Sequence, residues 1–269
     1  MSERRSIFIT GGGSGIGREV ALYFAERGWF VGIADINEQG LQDTLGLIQG
    51  GFKYAHKLDV RDRAAWDVAL EASSVAAGGR IDVVFNNAGV GHGGPIQEQP
   101  NDEVERLLDI NLKGVIYGAQ AAYPHLKKTA PGSALINTAS LAGIIGAPNM
   151  SIYCATKWAV RGMTRSLDAE WAEDGIKVAA LCPGFIDTAI IEQTRPDSNQ
   201  TVKESLLEAG VEVSPVSAVP KVVWDAVHGD KLDYTVGKTA GRLLFFSRFM
   251  PGRVRKEMRN QGIGSGKSA

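Results

Sequence analysis

Tyr153 and Lys157 stand four residues apart in a segment, 151–174, that reads as a helix. That spacing puts both side chains on one helix face. A phenol near its reference pKa of about 10 is a poor base at neutral pH. An adjacent ammonium favours the phenolate and lowers that pKa, and each tenfold gain in acidity takes about 1.4 kcal/mol. A tyrosine so placed can take a proton from a hydroxyl and return it to a carbonyl oxygen. Ser140, thirteen positions before Tyr153, closes an apolar run and offers a hydroxyl to hold that oxygen beside the phenol. Taken singly, each residue has a plainer reading: Tyr153 as a core aromatic, Lys157 as a solvated helix charge, Ser140 as a helix cap.

A second constellation lies at the N-terminus. A short apolar run leads into Thr10-Gly11-Gly12-Gly13-Ser14-Gly15-Ile16-Gly17 and then into a helical pattern. Such a turn lets backbone N–H groups approach a pyrophosphate, whose charge is favoured at a helix N-terminus. No window fits G-x-G-x-x-G; the pattern is T-G-x-x-x-G-x-G, with Gly11, Gly15 and Gly17. Eighteen residues after Gly17 a second apolar run ends in Asp35. A carboxylate there can hydrogen-bond the adenosine ribose and repel a 2′-phosphate. Ser14, Ile36 and Asn37 supply no compensating cation, and Arg18 belongs to the helical pattern, so the expected cofactor is NAD (NADH) rather than NADP. Alone, Asp35 also reads as a solvated strand-end carboxylate.

Together with Asn86-Asn87-Ala88-Gly89, Asn111, Ser140, Tyr153-Cys154-Ala155-Thr156-Lys157 and Pro183-Gly184, these motifs resemble the short-chain dehydrogenase/reductase family in order and spacing, over residues 7–188. The resemblance implies a seven-stranded sheet in the order 3-2-1-4-5-6-7. It also implies that Asp59 and Val60 contact adenine, that Asn87, Ala88 and Gly89 line the cofactor, and that the stretch from Pro183 through Gly184 and Ile186 to Thr188 holds its nicotinamide end. The Asn111 backbone carbonyl would hold a water connecting Lys157 to solvent. Without the resemblance, Asn111 reads as a surface amide and Asp59 as a capping carboxylate. Family members usually assemble as dimers or tetramers through two long helices, here 101–128 and 151–174.

The elements that must position these groups alternate along the chain. Candidate strands are 7–10, 30–35, 52–59, 81–86, 134–139, 178–182 and, less clearly marked, 234–236. Helical patterns occupy 15–26, 39–49, 62–77, 101–128, 151–174 and 219–228. Alternation of this kind implies a parallel sheet covered on both faces, and near-continuous apolar strands fit double burial. No linker or repeat divides residues 1–269, so the expectation is one α/β, doubly wound Rossmann-type domain with its ligand beyond the strands' carboxyl ends.

The substrate pocket is expected from segments 90–96, 141–150 and 185–215. Ser140, Ala142, Ile144, Met150, Tyr153 and Phe185 are its candidate lining, with Leu141, Ile145, Pro148, Ile190 and Ile191 nearby. No cation stands out in these segments before Arg195, which favours an apolar or bulky secondary alcohol or ketone; the same side chains also suit a core. Residues 187–215, polar at Arg195-Pro196-Asp197-Ser198-Asn199, read as a lid. His92, on the loop after the fourth strand, is either a substrate contact or a mobile loop histidine. The tail, 241–269, mixes Leu243, Leu244, Phe245, Phe246, Phe249 and Met250 with six Arg and Lys residues between Arg242 and Arg259. Packing over the pocket or a neighbouring subunit is the preferred reading, and a basic amphipathic helix on a membrane surface the alternative.

Composition bounds the rest. The 269 residues carry 29 Lys and Arg against 30 Asp and Glu, a net charge of -1, without the basic excess of a nucleic-acid binder. Two cysteines are too few for a disulfide framework or a cysteine zinc site and suit a reducing, cytoplasmic setting. The four histidines are scattered, without metal-ligand spacing. Residues 129–156 are uncharged but broken by proline, glycine and polar side chains, so they read as strand, loop and helix start rather than a span. The functional reading is an NAD(H)-dependent oxidoreductase. Its alternatives are an NADP-dependent carbonyl reductase, a non-catalytic NAD-sensing protein of the same fold, and a sugar-nucleotide epimerase or dehydratase, whose chains are usually longer.

Overall fold

The computed structural model describes residues 4–192 and 199–261. Its main sheet holds seven parallel strands: β1 (Ser6–Thr10), β2 (Phe30–Asp35), β3 (Lys53–Lys57), β4 (Val83–Asn86), β5 (Ala134–Thr138), β6 (Lys177–Pro183) and β9 (Asp233–Val236), in the order β3-β2-β1-β4-β5-β6-β9. With β9 as the seventh long strand, this is the expected order 3-2-1-4-5-6-7. The central strands are buried along their whole length because helices cover both faces.

One face packs α1 (Gly15–Glu26) and α8 (Val219–His228) over Ile7, Ile9, Val31, Ile33 and Phe85, with Phe24, Trp29 and Trp224 in edge contacts. The other carries α3 (Arg63–Ala76) and α5 (Gly114–Thr129) over Phe8, Val84 and Leu135, with Trp66 wholly buried between them. Asn37 caps α2 (Glu38–Leu47) by accepting from the Gly40 N–H, and Asp62 caps α3 by accepting from those of Ala64 and Ala65.

Two parts differ from the sequence reading, and a third, the tail, packs against the pocket as expected. The helix expected over 101–128 is α4 (Asn101–Leu108), a π-helical turn at Asp109–Lys113, and α5. Such turns interrupt the regular α-helical hydrogen-bond ladder, and Asn111 lies inside this one. The stretch read as a lid contains α7 (Val202–Glu208), opened by a capping box between Thr201 and Glu204, and a two-stranded parallel sheet of β7 (Phe185–Ile186) and β8 (Val213–Ser214). Arg195, Pro196, Asp197 and Ser198 lie outside the described residues. The tail forms α9 (Lys238–Phe249) and α10 (Pro251–Gln261), which bury Ala240, Leu243, Val254 and Met258 in a third core cluster. Residues 262–269 lie outside the described residues.

Candidate active site

A cavity of about 1490 Å³ follows the carboxyl ends of the parallel strands. Gly11, Ser14, Gly15 and Ile16 line it after β1, Asp35 and Ile36 after β2, and Asp59 and Val60 after β3. Asn87, Ala88 and Gly89 follow β4; Ser140, Ala142, Met150, Tyr153 and Lys157 stand beyond β5; Pro183, Gly184, Phe185, Ile186 and Thr188 follow β6. The structure therefore gathers most of the residues singled out from sequence into one space.

Gly17 and Asn111 are absent from this wall and act behind it. A Cβ on Gly17 would lie 2.1 Å from the Gly11 carbonyl oxygen, so only glycine lets the turn close on α1. Asn111 is fully buried; its side chain accepts from the Val90 N–H at 2.9 Å and donates to the Val90 carbonyl at 2.8 Å. It pins the loop after β4 with its amide, a role its sequence position does not reveal. Ile144 does not belong to the pocket. It is 1% exposed and packs in the third core cluster, and Ile145 faces the cavity instead.

The nucleotide end is built for an anion. The Ser14 side chain makes no capping bond and the first turn of α1 has no acidic residue, which leaves the helix N-terminus to a ligand. Gly11 and Gly15 hold φ at 67° and 49°, where side chains are strained. Arg18 donates to the Gly13 carbonyl and to Thr44, so its charge is used within the turn. The Asp35 carboxylate accepts from the Gly13 and Asn37 N–H groups, each at 3.0 Å, which fixes it at the cavity edge. The Asp59 carboxylate accepts from the Arg61 backbone N–H at 3.0 Å and chelates the Arg61 guanidinium at 2.6–3.0 Å, which holds its pKa below the usual carboxylate value. Thr10, unassigned in the sequence reading, accepts from the Asn87 and Ala88 N–H groups through one hydroxyl, at 3.1 Å each, and so ties the end of β1 to that of β4. A dinucleotide fits this cradle: open N–H groups, closely approached glycines, and an oriented carboxylate some way along the wall.

The other end places Tyr153 and Lys157 on α6 (Ser151–Glu170). A buried chain sets that helix on the sheet: Asn86 donates to Asn137 at 2.9 Å, and Asn137 to Thr164 at 3.0 Å. The Ser140 hydroxyl faces Tyr153 and draws its pKa down. The Ser140 backbone sits at φ 68°, ψ 162°, a region that glycine alone enters without strain.

The electrostatics differ from the expectation. Burial raises the Tyr153 pKa above the usual phenol value, with the Ser140 hydroxyl opposing it. Lys157, 3% exposed, falls to about 8 through burial. Its ammonium lies 5.6 Å from the Tyr153 ring centre and donates to the Thr138 carbonyl at 3.0 Å. The phenol is thus a proton holder, not a ready phenolate. The Thr138 hydroxyl is buried beside this site without a hydrogen-bond partner among the described residues.

Several wall residues escape the sequence reading. Arg106, held by Glu103 at 2.8 Å, and Arg242, 3.8 Å from Glu257, bring cations to the wall from outside the three pocket segments. They come from α4 and the tail, and no local motif marks them. His92 lines the cavity and stands 3.6 Å from Glu103. Cys154 and Cys182 are buried free thiols.

The sequence resembles known proteins over the same region. It is 38% identical over 190 residues to the probable oxidoreductase EphD of Mycobacterium tuberculosis, covering 70% of this chain but 32% of that protein. The chain thus spans about a third of EphD's length. To the 2,5-dichloro-2,5-cyclohexadiene-1,4-diol dehydrogenase LinX of Sphingobium indicum it is 36% identical over 191 residues, 70% of this chain and 76% of LinX. A short-chain dehydrogenase/reductase from Burkholderia phymatum, solved with NAD, superposes with a TM-score of 0.82 at 26% identity, over 96% of this chain and 97% of that one. Levodione reductase superposes with a TM-score of 0.79 at 28% identity, over 89% and 97%. The sequence model described as short chain dehydrogenase matches residues 5–199, well over half of the chain. On its motifs, its sheet order and this match, the chain belongs to the short-chain dehydrogenase family of oxidoreductases.

Proposed function

We propose that this protein is an NAD(H)-dependent oxidoreductase that interconverts a secondary alcohol and a ketone, with an apolar, bulky body on the substrate. The observation that carries this reading is that Ser140, Tyr153 and Lys157 line the same cavity as the glycine turn and the fixed Asp35 carboxylate. When bound, the dinucleotide supplies the hydride acceptor or donor.

The chain's residues do the rest. Ser140 Oγ orients the substrate oxygen. Tyr153 Oη, kept protonated at neutral pH by burial, gives its proton to a ketone oxygen, and its deprotonated form takes one from an alcohol. Lys157, near its titration point at about pH 8, exchanges charge beneath the ring. Asn111 holds the Val90 loop that closes the cavity beside them. Asp35 favours NAD over NADP because it offers a carboxylate where a 2′-phosphate would sit, and Arg61, the cation nearby in sequence on that wall, is already chelated by Asp59. Ala142, Ile145, Met150, Phe185 and Ile190 supply the apolar wall. Residues 187–192 and 199–215 form its cover, and a reducing compartment with a homodimer or homotetramer completes the reading.

The test is a panel of hydroxysteroids, aryl ketones, diols and aliphatic alcohols, assayed with NAD(H) and NADP(H) by absorbance. Tyr153→Phe keeps dinucleotide binding by calorimetry and loses about 10²–10⁴-fold in turnover, the range of general acid–base catalysis. Near-wild-type turnover by this variant overturns the assignment.

A further inference from the structure

Helices α9 and α10 have two sides. The inner side buries Leu243, Val254 and Met258, and both helices contribute to the cavity wall. The outer side is left to solvent among the described residues. Phe245 is 58% exposed, Phe249 62% and Met250 43%, all within six consecutive positions. The Phe245 and Phe249 rings lie 4.8 Å apart. Residues 248–253 are exposed without a break, so Phe249 and Met250 stand at the tip of an elbow between two helices. The fold orders these side chains and leaves them in water, where each fully transferred one forgoes a partition gain of about tenfold or more.

Charge identifies the surface that would cover them. Arg248, Arg253, Arg255, Lys256 and Arg259 are exposed around the tip. Glu257 is the only acidic residue in positions 238–261, in a chain whose net charge is -1. A second copy meeting this patch across a two-fold axis would bring the same cations face to face. An anionic lipid surface matches both features: apolar side chains enter the headgroup boundary while guanidinium and ammonium groups meet lipid phosphates.

We propose that the α9–α10 elbow docks this protein on anionic lipid surfaces, with Phe245, Phe249 and Met250 inserted and the flanking cations against the headgroups. Docking holds the cavity's tail-side wall next to the lipid, since the same two helices line it. The proposal stands whatever substrate the cavity takes.

The experiment is co-sedimentation of the full chain with vesicles of phosphatidylcholine alone or with about 30% phosphatidylglycerol, at low and high salt. Binding is expected to the anionic vesicles at low salt, with a large loss at high salt and on phosphatidylcholine alone. Arg253→Gln/Arg255→Gln/Lys256→Gln weakens it about 100-fold, at roughly fivefold per cation. Phe249→Ser/Met250→Ser weakens it at least tenfold while the melting curve stays at the wild-type position. Wild-type protein left in the supernatant at low salt overturns the proposal. So does wild-type binding by both variants, or a change of oligomeric state in Phe249→Ser/Met250→Ser without any vesicle binding, which would assign the patch to a second copy.

Discussion

Replacing Ser140 by glycine should make the protein more stable than replacing it by alanine, while both changes abolish most activity. Ser140 sits at φ 68°, ψ 162°, where a Cβ costs about 1–3 kcal/mol. Alanine keeps that cost and glycine removes it. Glycine's extra freedom in the unfolded chain takes back about 0.5–1 kcal/mol. Both variants lose the same hydroxyl and the same bond, to the Ala142 N–H at 3.3 Å, so those losses cancel between them. The net advantage of glycine is about 0–2.5 kcal/mol, or up to about 10 °C in melting temperature for a domain of this size. Calorimetry on the two variants, beside turnover with a responsive ketone, reads both quantities. Turnover falls about 10²–10³-fold in each, as for the loss of one oxyanion donor. If Ser140→Gly melts below Ser140→Ala, the backbone strain inferred at this corner is wrong.

Lys157→Met should remove a pH dependence of stability. The folded protein holds this ammonium at about pKa 8 against 10.5 for an ordinary lysine, so between those values the unfolded chain binds a proton that the fold does not. Wild-type stability therefore rises with pH across that window relative to Lys157→Met, by of order 3 kcal/mol, and urea melts at about pH 7, 9 and 10.5 measure it. Because burial raises Tyr153, ketone reduction should stay level through neutral pH while alcohol oxidation climbs into the alkaline range; steady-state rates in both directions check this. Asp35→Ser should raise the ratio of NADP to NAD in kcat/KM at least tenfold, since it removes the carboxylate that accepts from the Gly13 and Asn37 N–H groups. Thr201→Ala breaks the capping box of α7, costs about 1 kcal/mol locally, and should speed amide exchange in residues 202–208 and raise KM more than it lowers kcat.

How far the sequence reads depends on the range over which each feature is encoded. The strands of the main sheet are short apolar runs between glycine- and polar-rich turns, and doubly buried strands carry that pattern locally. The glycine turn is equally local, because Gly11, Gly15 and Gly17 answer to φ values and contacts within a few residues. The π turn around Asn111 is different: its amide bonds to Val90, twenty-one residues away, and nothing in 101–128 announces the interruption. Ile144 eludes the sequence for a similar reason. In the 3₁₀ turn Leu141–Gly143 and the residues after it, no helical or strand period says which side chain turns inward. Arg106 and Arg242 reach the cavity from α4 and α9, so only the tertiary fold shows them there. The α7 capping box, Thr201-x-x-Glu204, is a usable signal that the polarity of its surroundings obscures.

The electrostatics of the proposed catalytic pair show the same limit in energetic form. Four-residue spacing predicts that Lys157 faces Tyr153, and it does. Spacing carries no information on solvation, and burial reverses the expected direction: the phenol rises and the ammonium falls. The protein sets a neutral phenol beside an ammonium of lowered pKa where a phenolate–ammonium pair is expected, next to a serine in a glycine-only conformation and a threonine hydroxyl without a partner among the described residues. Each of these departs from what stability alone selects, and they occur together at one end of one cavity. Stability-neutral packing offers no reason for that coincidence. A site that stabilises little by itself but gives up a proton more readily when a cationic ring enters the cavity gives it one. The pH difference between the free and dinucleotide-bound enzyme, read as proton uptake or release on binding, therefore tests the reasoning directly. Binding of oxidised dinucleotide should release protons near pH 8, where Lys157 titrates, and binding with no proton exchange would remove the electrostatic argument while leaving the fold and the family unchanged.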